Sequence, residues 1–117
     1  MTGRASQRKG AAGELEVVEL VKAAGWPRAT RNFASGARGG SDIANGPGDT
    51  LIEIKRTSRL RLREAWGQVA VDAGKAGPGI LPVLAHRWDG GRWESPPWLA
   101  VLELDELLAL LQLRETR

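Results

Sequence analysis

The sequence predicts an α/β domain in which helices flank a mixed central sheet. Apolar residues recur at helical spacing in three segments, other segments alternate between apolar and polar residues, and clusters of Gly, Pro, Asn and Asp separate them. Together these observations give the order α-β-β-β-α-β-β-α. At 117 residues the chain is large enough for one hydrophobic core. We therefore expect a single domain spanning residues 1–117, with no internal repeat or domain linker.

The N-terminal elements follow from local start and stop signals. A first helix is predicted over residues 11–24, because Gly10 precedes this helical pattern and Pro27 follows it. Residues 26–33 have the pattern of a short strand. Residues 34–40 form a loop with three glycines that lacks the spacing of a nucleotide-binding P-loop, so we expect no nucleotide cofactor.

Turn chemistry predicts a hairpin in the next segment. Asn-Gly-Pro-Gly-Asp over residues 45–49 is a dense turn signal. The following segment, Thr50–Thr57, alternates, which places Glu53 and Lys55 on one face of a strand and the isoleucines between them on the other. The hairpin brings Asp42 back toward Glu53, so that two acids and one amine converge.

The remaining elements support this hairpin. A second long helix is predicted over residues 62–73, ended by Gly74. Two strands follow, over residues 80–88 and 98–104, joined by a turn. Asp105 is expected to cap a last helix that has a broad leucine face.

The convergent residues have the chemistry of a metal-dependent phosphodiesterase. Mg²⁺ takes oxygen ligands, binds one or two carboxylates and keeps several waters. Asp42 and Glu53 can supply carboxylate oxygens, and the carbonyl of Ile54 is a plausible third ligand. Lys55 can contact the same water or phosphate. We therefore expect Mg²⁺, with Mn²⁺ as a substitute, although a surface Glu-Lys pair beside a turn-entry aspartate would show the same residue types.

Glu14 is a further candidate because it lies in the apolar stripe of the first helix. A carboxylate on a core-facing stripe is costly unless it is paired or bound to a metal. Glu16 and Glu19 fall on the opposite face, where we expect solvated charges and a Glu19–Lys22 pair. The alternative for Glu14 is an acid favoured by the helix dipole.

The charge distribution points to a polyanionic partner. Residues 1–63 contain 12 Lys and Arg against 6 Asp and Glu, whereas residues 64–117 contain 5 against 8. A basic surface around a metal site is typical of proteins that bind nucleic acids. Gln68 and His86 are expected to be a solvated glutamine and a structural histidine. The chain has no cysteine and no apolar segment of membrane-spanning length, so we expect a cytoplasmic protein.

These motifs together resemble those of the archaeal-type Holliday junction resolvases, small members of the PD-(D/E)XK nuclease superfamily that bacteriophages also carry. The resemblance covers about residues 8–57. The matching segments are Arg8-Lys9-Gly10 followed by Glu14, Gly25, Arg31, Ser35-Gly36, Asp42-Ile43-Ala44 and Glu53-Ile54-Lys55. Ser41 stands where the superfamily often has proline.

The resemblance implies a restriction-endonuclease-like fold and a homodimer that nicks opposing strands of a four-way DNA junction. It implies that Asp42 and Glu53 bind the metal, that Glu14 binds or orients a metal through water, that Lys55 assists the attacking water, and that Ser35 contacts the phosphate or metal region. The expected DNA contacts are the basic residues around these motifs: Arg4, Arg8, Lys9, Arg31, Arg38, Arg56, Arg59 and Arg61.

Three functions stay open from the sequence alone. The first is a structure-selective, Mg²⁺-dependent endonuclease that resolves Holliday junctions by paired symmetric nicks. The second is a nuclease of the same superfamily that acts on flaps or other duplex DNA. The third is a non-catalytic dimer that binds junctions, although such a module needs no acids near the phosphates.

Overall fold

The computed structural model describes residues 3–33, 40–89 and 94–116, and for residues 3–7 and 9 it describes the backbone alone. Within these ranges the elements follow the predicted order. They are α1 (Gly3–Ala23), β1 (Thr30–Arg31), β2 (Ile43–Ala44), β3 (Thr50–Thr57), α2 (Leu62–Ala76), β4 (Leu81–Trp88), β5 (Leu99–Val101) and α3 (Leu104–Glu115). No helix in the described ranges is long and apolar enough to cross a lipid bilayer.

The central sheet is mixed, which confirms the predicted α/β class. Strand β3 runs parallel to β4, with Thr50 opposite Leu81, and β5 runs antiparallel to β4. Helix α2 makes the crossover connection that a parallel pair requires. Strands β1 and β2 form a separate antiparallel pair. This pair is tied to β3 because the Asp42 N–H donates to the carbonyl of Ile52 (2.8 Å).

The alternation of β3 divides the core into two clusters, one on each face of the sheet. On the α1 face, Ile52 packs in a cluster that includes Val17. On the α2 face, Leu51 packs with Leu84 and Val69, which are both fully buried. Side chains at the odd-numbered positions of β3 therefore lie on the α2 side of the sheet.

Helix α1 begins at Gly3, eight residues before the predicted start. Gly10 lies inside the helix, and Arg4, Arg8 and Lys9, which precede the predicted start, belong to it. A glycine in a helix interior costs only about 1 kcal/mol relative to alanine, and the Ala, Gln, Arg and Lys residues around it are good helix formers. Gly10 therefore does not end the helix.

Two other predicted boundaries were also wrong. Helix α2 continues through Gly74 to Ala76 and ends at Gly77, whose φ of 141° lies in the region that favours glycine. Asp105 is not the cap of α3 but its second residue, and Glu103 occupies the N-cap position without a side-chain cap. Strands β1 and β5 are shorter than predicted, because β1 contains two residues and β5 three.

Candidate active site

Asp42 lies beside β3 because Ser41 and Asp42 are bonded to that strand. The Ser41 Oγ accepts from the Ile52 N–H (3.0 Å), and the Asp42 N–H donates to the Ile52 carbonyl. The Asp42 Oδ2 in turn accepts from the Ile54 N–H (2.8 Å). Ser41 thus helps to join the two segments, and the Asp42 carboxylate is fixed to the backbone between Glu53 and Lys55.

The turn between β2 and β3 has the chemistry that the sequence predicts. Asn45 and Asp49 adopt positive φ values of 59° and 52°, a conformation that Asn and Asp tolerate better than most residues. Asp42 reaches β3 as predicted, but the predicted hairpin was wrong, because the structure pairs β2 with β1 and β3 with β4. The connection uses the individual bonds of Ser41 and Asp42, since β2 pairs in register with β1.

Glu53 and Lys55 line an open cleft of about 310 Å³ between β3 and α2. The Lys55 Nζ lies 3.5 Å from the Glu53 Oε1. Two exposed arginines from the segment after β3 also line the cleft. The described lining residues are Glu53, Lys55, Thr57, Arg59, Leu60, Arg61, Glu64, Ala65 and Gln68. The cleft therefore combines two carboxylates with three cationic side chains, an arrangement suited to a phosphate group beside a metal ion.

The cleft disfavours the charged form of Glu53. Burial raises the pKa of Glu53, the negative charge of Asp42 raises it further, and Lys55 partly opposes this. A cation bound between the two carboxylates would relieve their repulsion. Among the described residues, no group of three or more Asp, Glu, His or Cys side chains could hold a metal ion. A metal at Asp42 and Glu53 would thus depend on these two acids, the carbonyl predicted at Ile54, and water.

The sequence interpretation missed Asp72, whereas Gln68 is exposed, as expected. Asp72 lies on α2, is 8% exposed, and adds to the effects that raise the pKa of Glu53. The Gln68 Nε2 donates to the Asp72 Oδ1 (3.0 Å), and Gln68 lines the cleft. The criterion that singled out Glu14, a carboxylate on an apolar helical stripe, also applies to Asp72, which lies one turn after Val69.

Glu14 and Arg31 pair with each other at the α1–β1 contact. The Arg31 Nε donates to the Glu14 Oε2 (3.3 Å), and the Arg31 guanidinium stacks over the Phe33 ring at 4.6 Å. Helix α1 packs on the opposite face of β3 from the Glu53 side chain. A carboxylate on an apolar helical stripe was expected to be paired or bound to a metal. In this structure Glu14 is paired with Arg31.

Glu16 is not a solvated charge, contrary to the prediction. Its carboxylate accepts from the Arg56 Nη1 (2.8 Å), the Trp98 Nε1 (3.1 Å) and Arg87. Arg56 also donates to Asp89 (2.9 Å). This network ties α1 to β3, β4 and the segment before β5. Arg56, predicted as a DNA contact, is therefore held on the α1 side of the sheet and paired with two carboxylates.

The other predicted residues divide by location. Arg59 and Arg61 are exposed at the cleft, and Arg8 is exposed on α1. Ser35 and Arg38 lie outside the described residues, as do the side chains of Arg4 and Lys9. The pair Glu19–Lys22 is present and exposed, as predicted (3.6 Å).

His86 is buried beneath the cleft, in line with the structural role expected for it. It is 1% exposed, and its Nε2 lies 3.0 Å from the Thr57 Oγ1. Since the Thr57 hydroxyl donates to the Arg59 carbonyl (2.6 Å), its oxygen is left to accept from a neutral, Nε2-protonated imidazole. Burial lowers the pKa of His86.

No protein-family model, curated protein or solved structure matches this chain. The features that bear on function are therefore those of the site itself: the interacting carboxylates of Asp42 and Glu53, the Lys55 Nζ at 3.5 Å from Glu53, and two arginines that line an open cleft.

Proposed function

We propose that this chain is a metal-dependent DNA endonuclease with a PD-(D/E)XK core, and that its dimer resolves four-way junctions. The observation that carries the proposal is the bond between the Asp42 Oδ2 and the Ile54 N–H, at 2.8 Å. It places a second carboxylate beside the segment Glu53-Ile54-Lys55, as the resemblance to the resolvases requires. The element order and the parallel pairing of β3 with β4 are compatible with that fold.

The donor set fits Mg²⁺. Two carboxylates, a backbone carbonyl and waters are the ligands that this ion accepts. Burial and then the charge of Asp42 raise the pKa of Glu53, and a bound cation would favour the charged form of Glu53 against both. When bound, Mg²⁺ supplies Lewis acidity toward the scissile phosphate and a nearby water. Lys55, whose side chain is 44% exposed, can orient that water or offset charge on the phosphate.

The rim of the cleft supports a nucleic-acid substrate. Arg59 and Arg61 line the cleft together with Glu53 and can bind neighbouring phosphates in bidentate fashion. Binding through phosphates and DNA shape provides no base-specific readout. A four-way junction has two-fold symmetry, so a symmetric dimer would present one cleft to each of two opposing strands.

The test is cleavage of a labelled synthetic four-way junction with Mg²⁺, beside a linear duplex and a fork. The variant Asp42→Asn removes one proposed ligand. Asp49→Asn is its matched control, because Asp49 is an exposed turn residue that asparagine can replace at positive φ. Paired symmetric nicks on the junction, lost with EDTA and in Asp42→Asn but retained in Asp49→Asn, are the expected result.

Other outcomes would narrow or reject the proposal. Equal cutting of all three DNAs would retain the metal-dependent nuclease but reject the junction specificity, as would preference for the fork. Tight junction binding without cutting in Mg²⁺ or Mn²⁺ would indicate a binding module. Full activity of Asp42→Asn would show that the cleft is not the catalytic site.

A further inference from the structure

Phe33, two residues after the end of β1, holds its ring in the solvent. The side chain is 81% exposed, the highest value for a large hydrophobic residue in the part of the chain that the structure describes. Phenylalanine is one of the residue types that are most often fully buried in folded proteins. The position of this ring therefore deserves a physical reason, and two neighbouring residues supply one.

The orientation of the Phe33 ring is fixed by Arg31 and Glu14. The Arg31 guanidinium lies over one face of the ring, at 4.6 Å from its centre. Arg31 is itself held by the Glu14 Oε2, which lies 3.3 Å from the Arg31 Nε and 3.2 Å from its Nη2. Because the ring stays 81% exposed, the face opposite Arg31 is open to solvent. Phe33 thus presents a preformed flat surface, which lowers the entropy loss when a ligand binds.

This surface lies close to the Asp42 carboxylate. The Asn32 N–H donates to the Asp42 carbonyl (2.9 Å), and the Asn32 Nδ2 donates to the Ser41 carbonyl (2.9 Å). Since Phe33 follows Asn32 directly, its Cα lies within about 10 Å of the Asp42 Cα. Phosphates follow one another at about 3.4 Å of axial rise along one strand of B-form DNA. A strand with a phosphate at Asp42 would therefore bring a base to the ring within a few nucleotides.

The surroundings of Phe33 favour a single flat ring as its ligand over the apolar surface of a protein. Ile43 on β2 is only 6% exposed. The other described side chains around β1 and β2 that reach the solvent are small or polar: Thr30, Arg31, Asn32, Ser41, Asp42 and Ala44. A protein partner needs a contiguous apolar patch of several hundred Å². A nucleobase needs one aromatic ring, because every base has a π-face that can stack on it.

We propose that Phe33 stacks on an unpaired base of the DNA strand that lies at Asp42, and that this contact makes the site prefer branched to continuous DNA. A base inside a continuous duplex is stacked on both faces, whereas a base at a branch point or in a single-stranded gap leaves the stack more easily. The inference rests on the proposed nuclease function, because Asp42 sets the path of the strand. It adds the unpaired base as the part of the substrate that is recognised.

The experiment is equilibrium DNA binding in EDTA, measured by fluorescence anisotropy, so that cleavage plays no part. The DNAs are a four-way junction, a duplex with a gap of two unpaired nucleotides, and the intact duplex. Phe33→Leu removes the ring but keeps an apolar side chain. It should raise the dissociation constants of the junction and the gapped duplex about 5- to 100-fold, and it should leave that of the intact duplex unchanged.

Two further variants and a spectroscopic probe make the test specific to the ring. Phe33→Trp keeps an aromatic ring and should bind like wild type. Trp26→Leu is the matched control, because it removes another exposed aromatic side chain (39%) from the far side of β1, and it should change none of the three affinities. With 2-aminopurine as the unpaired base of the gap, wild type and Phe33→Trp should quench its fluorescence, whereas Phe33→Leu should not. Circular dichroism checks that each variant is folded.

Several results would overturn the inference. They are an unchanged affinity of Phe33→Leu, an equal loss for all three DNAs, an equal effect of Trp26→Leu, and a wild-type chain that binds none of these DNAs. Cleavage in Mg²⁺ judges the nuclease proposal separately. If wild type cuts DNA and Phe33→Leu binds unchanged, only the stacking inference fails. If Phe33→Leu loses affinity for unpaired bases but wild type cuts nothing, only the nuclease proposal fails.

Discussion

Asp42 has two physical roles, and two substitutions separate them. Its Oδ2 accepts from the Ile54 N–H at 2.8 Å, and its negative charge helps to raise the pKa of Glu53. Asp42→Asn keeps an oxygen that can accept the Ile54 hydrogen bond but removes the charge. Asp42→Ala removes both the acceptor and the charge. The two variants should therefore differ in stability, although both lack the metal-binding carboxylate.

The magnitude follows from the hydrogen bond. A buried donor left without an acceptor costs about 1–3 kcal/mol, and because Ile54 and Asp42 are only partly buried the lower half of that range applies. The free energy of unfolding of Asp42→Ala should thus be about 1–2 kcal/mol lower than that of Asp42→Asn. Without metal, Asp42→Asn should be at least as stable as wild type, because the repulsion of Glu53 is relieved and the pKa of Glu53 falls toward its ordinary value.

The assay is urea unfolding followed by tryptophan fluorescence, first in EDTA and then in Mg²⁺. With a slope of about 1–3 kcal/mol per molar urea, the midpoints of the two variants should lie about 1 M apart. At a Mg²⁺ concentration of about ten times the dissociation constant, wild type should gain about 1.4 kcal/mol. Neither variant should gain as much.

Two results would refute this reasoning. Equal midpoints for Asp42→Asn and Asp42→Ala would show that the bond to Ile54 does not hold the segment in place. A wild-type response of Asp42→Asn to Mg²⁺ would show that Asp42 is not a metal ligand, whatever the cleavage assay gives.

Three further predictions test the surroundings of Glu53. Lys55→Met should reduce the cleavage rate at least about 100-fold, because Lys55 acts on water or phosphate. The stabilisation of this variant by Mg²⁺ should persist. An equal loss of the Mg²⁺ response would instead assign Lys55 to metal binding. Arg59→Ala should lower the slope of log K for DNA binding against log salt by about 1, whereas Lys75→Ala, an exposed substitution outside the cleft, should not. Because the pKa of His86 is lowered in the folded state, the unfolded chain binds this proton at a higher pH than the folded chain does. The free energy of unfolding should therefore decline as pH falls below about 6.5, and the decline should end once pH is below the folded-state pKa. His86→Leu should make that decline shallower, and an unchanged pH profile would contradict the assignment.

The sequence predicted β3 to the residue because several local signals agree there. A dense turn precedes the strand, its side chains alternate, and its two faces meet different helices. The ends of the helices were predicted less well, because glycine occurs both inside helices and at their ends. Gly74 and Gly77 are the same residue type three positions apart, and the backbone conformation at Gly77 decides where α2 ends.

The site was partly predictable for a related reason. Asp42, Glu53 and Lys55 are separated by a single turn, so local pattern could bring them together. The partners of Glu14 and Glu16 could not be found in this way, because Arg31 is 17 residues from Glu14 and Arg87 is 71 residues from Glu16. Helical periodicity identifies an acid on an apolar stripe, but not whether an arginine or a metal neutralises it.

The contrast between the two faces of β3 gives the strongest physical reason to place function in the cleft. On the α1 face, Arg56 is neutralised by Glu16 and Asp89 at 2.8 and 2.9 Å, so its charge is met by carboxylates from other elements. On the α2 face, the neighbouring residue Lys55 lies 3.5 Å from Glu53, yet burial and Asp42 still raise the pKa of Glu53. A fold that needed only stability would have no reason to bring two carboxylates together there. A cation bound between them would offset their repulsion and the burial of Glu53. The arginines that line the cleft would then suit a phosphate as the anion that accompanies this cation.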